Sequence, residues 1–371
     1  MGRFCASVLL LVGACGDNSE IDLGGSPDDQ VEPGEVGTVT PRYTPAVCGV
    51  MAWDPNLALD PAQDVSVAAR PGGGATFFSA PLGGGTLTGF QLDPRMNMEN
   101  GTVVKLPITN ASFDKVAVSY IQNRPVSTAI ADGAVYLHML DNKLETAEYI
   151  AKLPALSISE PTFLYAQGNL VMPVGTKDGL VMHRFVDDSL EPLDSKLFSS
   201  TKPVISVTSA QLQTNMMTAY STETECYLMV NSTYEPGVSA RVERACPSPR
   251  LAVNETNGDA KLLFDSPEGI RMMPIHLTMF GGDAPVLRSD ATSPRTVFDG
   301  ERFWISYLDA RGDVVVGFLD EHNKPITMSL GAPQPERAGY ELVMLDGAPT
   351  IFAVDEKGYT AYSMCVDAIG E

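Results

Sequence analysis

The most constraining feature of this sequence is a recurring unit of short apolar strands separated by tight turns. Its clearest copy runs from Thr296 to Asp320, where Asp299-Gly300 and Arg311-Gly312-Asp313 separate three runs of β-branched and aromatic residues. Such short polar segments supply turn geometry between strands. The stretch therefore predicts three antiparallel strands joined by two turns.

Weaker copies of this unit recur along most of the chain. A unit of about 45 residues is typical of a β-propeller blade, whose four strands bury both faces only by stacking around an axis. Helical periodicity is absent, and 33 glycines with 27 prolines suit many turns. We predict an all-β propeller over residues 43–371, with seven blades favoured and six or eight as alternatives. The first turns of the seven blades are predicted at Gly74, Gly133, Gly168, Asn215, Gly258, Gly300 and Gly347.

The N-terminus indicates export and a lipid anchor. Arg3 precedes an apolar segment, Phe4 to Val12, which is too short to span a bilayer and is typical of a signal peptide. Val12-Gly13-Ala14-Cys15 resembles the bacterial lipobox. That resemblance implies cleavage before Cys15 and acylation of Cys15 by chains such as palmitate. The alternative is an ordinary cleaved signal peptide that happens to contain a cysteine.

These features divide the chain into three parts. Residues 1–14 are the predicted signal peptide, and residues 15–42 are a tether rich in acids, glycine and proline, which we expect to be disordered. Gly16, rather than Asp, follows the cysteine, which by analogy with Gram-negative lipoproteins leaves export to the outer membrane open. We predict a protein anchored by its lipid in the bacterial cell envelope, on the periplasmic or the surface side of the outer membrane.

Four further cysteines predict two disulfide bonds, because an exported chain with an even number of cysteines usually pairs them. Three pairings are possible. Cys226 and Cys246 flank a predicted hairpin that turns near Pro236, so we expect them to lie opposite one another. Cys48 and Cys365 then pair by elimination and would lock the N-terminal strand into the last blade, which closes the ring. Buried free thiols are the alternative reading.

Charge narrows the choice of partners. The formal net charge is -21, from 46 acidic and 25 basic residues. A surface this acidic should repel nucleic acid, so we expect no DNA or RNA partner. The membrane, through the lipid, and a protein or glycan ligand are the expected partners, and we expect a monomer.

Few residues in the sequence suggest chemistry. Hydrolase and nucleotide-binding motifs are absent. The run Phe298 to Trp304 faintly resembles the aspartate box of sialidase-type propellers, but Asp299 and Gly300 are adjacent where that box separates them by one residue. We interpret Trp304 as a core aromatic. Arg311-Gly312-Asp313 matches an integrin-binding tripeptide, but a turn between two strands explains it.

Metal ligands are also not expected. Met96, Met98, Met272, Met273, His276 and Met279 would offer soft ligands to copper(I). Flexible filling of gaps in the core is the preferred interpretation of these methionines. Several strands are predicted to end in aspartate, among them Asp93, Asp141, Asp309 and Asp320, which we interpret as turn residues rather than calcium ligands. No cofactor and no metal are predicted.

The whole pattern resembles the propeller-like lipoproteins of Gram-negative bacteria, over the lipobox and, loosely, residues 49–371. We therefore predict a membrane-tethered, extracytoplasmic binding and scaffolding propeller, and the missing catalytic constellation argues against an enzyme. The alternative is an envelope hydrolase of the glycosidase type, with its site in the central channel.

Overall fold

The computed structural model describes residues 43–53, 62–81, 87–104, 115–156, 163–166, 168–187, 189–231, 236–242, 244–276, 284–331, 339–355 and 358–368. The predicted signal peptide, Cys15 and tether lie outside these residues. None of the described residues belongs to a helix long and apolar enough to cross a membrane.

The described residues form 28 strands. In chain order they are β1 Tyr43–Trp53, β2 Ala62–Ala69, β3 Ala75–Pro81, β4 Leu87–Leu92, β5 Met98–Val104, β6 Lys115–Ile121, β7 Arg124–Ala131, β8 Ala134–Leu140, β9 Ala147–Pro154, β10 Leu164–Ala166, β11 Asn169–Thr176, β12 Gly179–Phe185, β13 Pro192–Ser199, β14 Ser206–Leu212, β15 Asn215–Ser221, β16 Cys226–Asn231, β17 Pro236–Val242, β18 Arg250–Val253, β19 Ala260–Ser266, β20 Gly269–Ile275, β21 Val286–Arg288, β22 Thr292–Phe298, β23 Phe303–Leu308, β24 Val314–Leu319, β25 Pro325–Ser329, β26 Tyr340–Leu345, β27 Ala348–Asp355 and β28 Gly358–Ala368.

The strands form seven four-stranded antiparallel sheets, so the predicted seven-bladed propeller is confirmed. Blades 1 to 6 each use four consecutive strands, starting at β2, β6, β10, β14, β18 and β22. Blade 7 has the strand order β1-β28-β27-β26. The N-terminal strand therefore completes the last blade and closes the ring, as predicted.

The order of the strands in each blade defines the axis, the rim and the two faces of the ring. First strands of neighbouring blades contact one another, as β2 does with β6 and β26, so they surround the axis, and the fourth strands form the rim. We call the face that carries the turns between second and third strands the upper face. The opposite, lower face carries the turns between first and second strands. Each first strand runs from the upper face to the lower face.

The core lies between the blades. Seven clusters of buried apolar side chains correspond to the seven seams between neighbouring blades. The middle strands are buried on both faces, as in β7, β8 and β11. A single blade would leave both of these faces in water, so the ring is the unit that buries them.

Both predicted disulfide bonds are confirmed. Cys48 joins Cys365 with a Cα–Cα distance of 5.8 Å, within a blade where β1 pairs with β28. Cys226 joins Cys246 at 5.3 Å. The hairpin geometry expected for this second pair was wrong, because Cys226 lies opposite Val242. Cys246 lies beyond β17, where its N–H donates to Ser221 Oγ and brings the sulfur back to the blade.

The predicted first turn of blade 2 was also wrong. Asp132-Gly133 joins the second and third strands, and the first turn is Gln122-Asn123. Both of these residues have a positive φ, 47° and 67°, a conformation that glycine adopts more readily. Because this turn lacks glycine, strand β6 was missed. Placing the turn at Asn123 replaces the uneven spacings of 59 and 35 residues by 49 and 45 (123 minus 74, and 168 minus 123).

The ring-closing disulfide should contribute more to stability than the one in blade 4. We expect Cys48→Ala with Cys365→Ala to lower the free energy of unfolding by about 5 kcal/mol, against about 3 for Cys226→Ala with Cys246→Ala, on the chain-entropy model. The reason is the sequence separation, 317 residues against 20. Urea unfolding followed by tryptophan fluorescence measures both losses. A smaller loss for the ring-closing pair would contradict this account.

Candidate functional site

Charged and polar side chains of three consecutive blades converge near the axis, at the upper ends of the innermost strands. Arg250 and Tyr340 are the first residues of β18 and β26, and Ser293 and Arg295 lie near the start of β22. Asp265 lies near the upper end of β19. We call this group the upper polar cluster. Its members are Arg250, Asp265, Ser293, Arg295, Tyr340 and Glu341.

Ser293 links the three blades. It lies where the register between β22 and β23 shifts, and its φ of 57° is in the left-handed region. The Ser293 N–H donates to Asp265 Oδ1 of blade 5 at 3.0 Å, and the Ser293 carbonyl accepts the hydroxyl of Tyr340 in blade 7. A bulge re-aims backbone groups in this way, and strained residues of this kind concentrate at functional sites.

A buried ion pair crosses the seam between blades 6 and 7. Arg295 Nε donates to Glu341 Oε2 at 3.0 Å, and the two side chains are only 11% and 12% exposed. Arg295 Nη1 donates to the carbonyl of Pro294 at 3.0 Å, and the guanidinium lies 5.2 Å from the centre of the Tyr340 ring. The positive charge is therefore neutralised and hydrogen-bonded within the protein.

Burial changes the acidity of two members of the cluster. It raises the pKa of Asp265 above its ordinary value, although hydrogen bonds from Ser293 and Ser248 and the charges of Arg295 and Arg250 act in the opposite direction. Burial also raises the pKa of Tyr340, which therefore keeps its proton and remains a hydrogen-bond donor.

The cluster fits a set of bonds that hold neighbouring blades together, which we call an interblade latch, better than it fits a hydrolase site. A glycosidase needs two carboxyl groups that face the substrate, one to protonate the leaving oxygen and one to act as base or nucleophile. Here Glu341 forms an ion pair with Arg295, and Asp265 accepts a backbone N–H from the next blade, so both carboxyl groups are bonded within the protein. Among the described residues, no three His, Cys, Asp or Glu side chains are grouped to hold a metal ion.

The residues singled out in the sequence have structural partners. Trp304 is buried in the seam between blades 6 and 7, as predicted, and its indole N–H donates to Asp299 Oδ2 at 2.6 Å. Asp299 also accepts the backbone N–H groups of Glu301 and Arg302. The run that faintly resembled an aspartate box is therefore a hydrogen-bonded turn on the lower face.

The strand-end aspartates act as turn residues. Asp93, Asp141, Asp309 and Asp320 each accept backbone N–H groups two and four residues further along the chain. Arg311 lies within the turn that Asp309 organises, 3.0 Å from a carboxylate oxygen of Asp313. Arg311-Gly312-Asp313 is thus the upper turn between β23 and β24.

The methionines do not form a copper site in the described residues. Met272 packs into the seam between blades 5 and 6, whereas Met273 packs into the seam between blades 4 and 5. His276 is exposed and lies 3.4 Å from a carboxylate oxygen of Asp259. Met98 is exposed at the start of β5, and Met279 lies outside the described residues.

The sequence did not single out any member of the upper polar cluster. Glu341 lies in a predicted strand, Tyr340 to Leu345, and Arg295 comes just before the clearest repeat unit. The available signal was a charged residue at the start of an otherwise apolar innermost strand. Such a charged residue indicates a site only once the side chains that contact it from two other blades are known.

Comparisons with known proteins identify the fold. No family model matches this chain, and no curated protein matches its sequence. Among solved structures, it is similar to BBS1N, crystallised in complex with ARL6DN, with a TM-score of 0.57 and 11% identity over 88% of this chain and 98% of that one. It is also similar to the Dos1 propeller, with a TM-score of 0.52 and 10% identity over 81% and 83%. At these identities the likeness shows a β-propeller and nothing more specific.

The latch interpretation predicts a large effect from breaking the buried ion pair. Glu341→Gln should destabilise the protein by about 3 kcal/mol, because it removes the carboxylate charge that faces the buried Arg295 guanidinium. The control is Asp194→Asn, which breaks the more exposed pair with Arg184, 47% and 31% exposed, and should cost less than about 1 kcal/mol. Urea unfolding compares the two. Equal losses would show that the cluster is not a latch.

Proposed function

We propose that this chain is a membrane-tethered propeller of the bacterial cell envelope that binds and scaffolds an extracytoplasmic protein or glycan. The two disulfide bonds carry the proposal, because such bonds persist in oxidising compartments outside the cytoplasm. The signal-like N-terminus and the lipobox ending in Cys15 agree with export. Gly16 after that cysteine leaves the outer membrane open as the membrane that holds the anchor.

The first described strand begins on the lower face of the ring. Tyr43, the first residue of β1, pairs with Ala368 at the lower end of β28. The guanidinium of Arg302, in the lower turn of blade 6, lies 5.4 Å from the centre of the Tyr43 ring. The described residues therefore begin at the lower edge of the rim, opposite the face that carries the upper polar cluster, and we propose the upper face as the binding face.

Binding is favoured over catalysis because the charged groups of the upper polar cluster bond to neighbouring blades and do not face a substrate. Propellers commonly present a rim or face to a partner, and the similar BBS1N was crystallised in complex with ARL6DN. We extend this mode of action to the present chain. A net charge of -21 favours a partner with a basic surface.

Lipidation is tested by replacing the acylated residue. Cys15→Ser should prevent acylation and release the protein from the membrane fraction, because anchoring depends on acyl chains on that one sulfur. Cys5→Ser is the matched control, since Cys5 lies in the predicted signal peptide and should leave fractionation unchanged. Cell fractionation and metabolic labelling with a palmitate analogue measure both. A Cys15→Ser protein that stays in the membrane fraction contradicts the anchor.

The binding face is tested by photo-crosslinking in intact envelopes. A photoreactive side chain at Ala310, in the upper turn between β23 and β24, should crosslink to a partner, whereas one at Glu321, in the lower turn between β24 and β25, should not. Both positions are exposed and belong to the same blade, so they differ mainly in the face. Crosslinks only from Glu321, or none from either, would contradict binding on the upper face.

A further inference from the structure

Two histidines occupy the same position in consecutive blades. His138 and His183 each lie two residues before the end of the third strand, in β8 and β12. The equivalent residues in blades 1, 4, 5 and 6 are Phe90, Met229, Met273 and Gly317. Phe90, Met229 and Met273 are apolar side chains buried in seams. In blades 2 and 3 a histidine occupies the position of such a core side chain.

His138 lies in the seam between blades 1 and 2 and is completely buried. It faces Ser127 on β7 and Tyr149 on β9, whose ring centre is 5.8 Å away. Within the described part of the chain, neither ring nitrogen of His138 has a hydrogen-bond partner, and the same is true of Ser127 Oγ. No described group is therefore in place to accept a hydrogen bond from a charged His138 imidazole.

The other described groups on this seam do not supply a counter-charge. Blade 1 presents Thr76, Phe78 and Gln91, and the hydroxyl of Tyr120 on β6 is bonded to Thr76. The titratable groups on the His138 side of blade 2, among side chains that the structure describes, are Tyr120, Tyr136, Tyr149 and Lys152. Lys152 lies over the Tyr136 ring at 4.9 Å and brings no negative charge to His138.

His183 lies in the seam between blades 2 and 3. It faces Met172 on β11 and Ser195 on β13, and its Nε2 is buried without a partner among the residues that the structure describes. Blade 2 presents mainly apolar residues to this seam, such as Val126, Leu137 and Met139. The carboxylate on that side is Glu148 of β9, which is exposed at the rim. Arg184 and Asp194 pair on the opposite face of blade 3.

We propose that blade 2 is an acid-responsive module, flanked on each side by a buried neutral histidine whose protonation loosens the seam. Among the described residues, neither ring nitrogen of a charged His138 nor the Nε2 of a charged His183 would have an acceptor, so these groups gain hydration only if the seam opens. Opening blade 2 would expose apolar faces of blades 1 and 3. The disulfide bonds lie in blades 4 and 7 and do not hold these seams.

The pH window follows from the acidity of the two side chains. Burial lowers the pKa of both imidazoles from 6.5 to about 4. The open form therefore binds protons more readily than the closed form. The seams keep constant stability above about pH 6.5, weaken as the pH falls towards 4, and change little through these groups below 4.

Hydrogen exchange measured by mass spectrometry tests this proposal on the folded domain. Between pH 7.5 and 4.5, after correction for intrinsic exchange rates, opening of blade 2 should increase more than about tenfold. Blade 6 is the internal comparison, because Asp309 and Asp320 organise turns in it as Asp141 does in blade 2. A blade 2 that responds no more than blade 6 would overturn the proposal.

Substitutions separate the histidines from other titrating groups. His138→Met with His183→Met introduces the residue found at this position in blades 4 and 5, and should abolish the extra response of blade 2. Each single substitution should remove part of it, which keeps the test decisive if the double variant does not fold. His276→Gln with His322→Gln changes two exposed histidines and should leave the response intact. A wild-type response in the His138→Met and His183→Met variants would overturn the proposal.

Discussion

Ring closure is the constraint on which this structure depends. Each blade has two apolar faces, and every face is buried only because another blade stands against it. A chain of blades with open ends would leave two faces in water. Pairing of β1 with β28, reinforced by Cys48–Cys365, removes those ends and makes the stability of each seam depend on the whole ring.

The seams differ in chemistry although their backbone geometry repeats. Blades 5 to 7 are joined near the axis by hydrogen bonds through Ser293 and by the buried pair of Arg295 and Glu341. The seams on either side of blade 2 contain an imidazole in place of an apolar side chain. Polar seams of the first kind resist separation, because opening them exposes a charge without its partner, whereas a seam with a neutral histidine weakens in acid.

The sequence predicted the architecture better than the register. Seven blades and both cysteine pairings were correct, because glycine turns and cysteine spacing are local signals. Blade 2 was misplaced by one strand, because Gln122-Asn123 forms a left-handed turn without glycine. The hairpin in blade 4 was also misjudged, since Cys246 returns to the blade through its backbone bond to Ser221. The first error arose because Gln122 and Asn123 form a turn that was expected to need glycine. The second arose because a backbone hydrogen bond, and not strand pairing, positions Cys246.

The sequence by itself determined the repeat, the closure of the ring and the residues that suggest export, since each depends on neighbours in the chain or on cysteine count. Only the tertiary structure decided which polar residues meet. Arg295 and Glu341 are 46 residues apart, about one blade, and Asp265 and Ser293 are 28 apart. Side chains at such separations become neighbours only when blades stack around an axis. No local pattern records that contact, and therefore the polar seams were visible only in the folded ring.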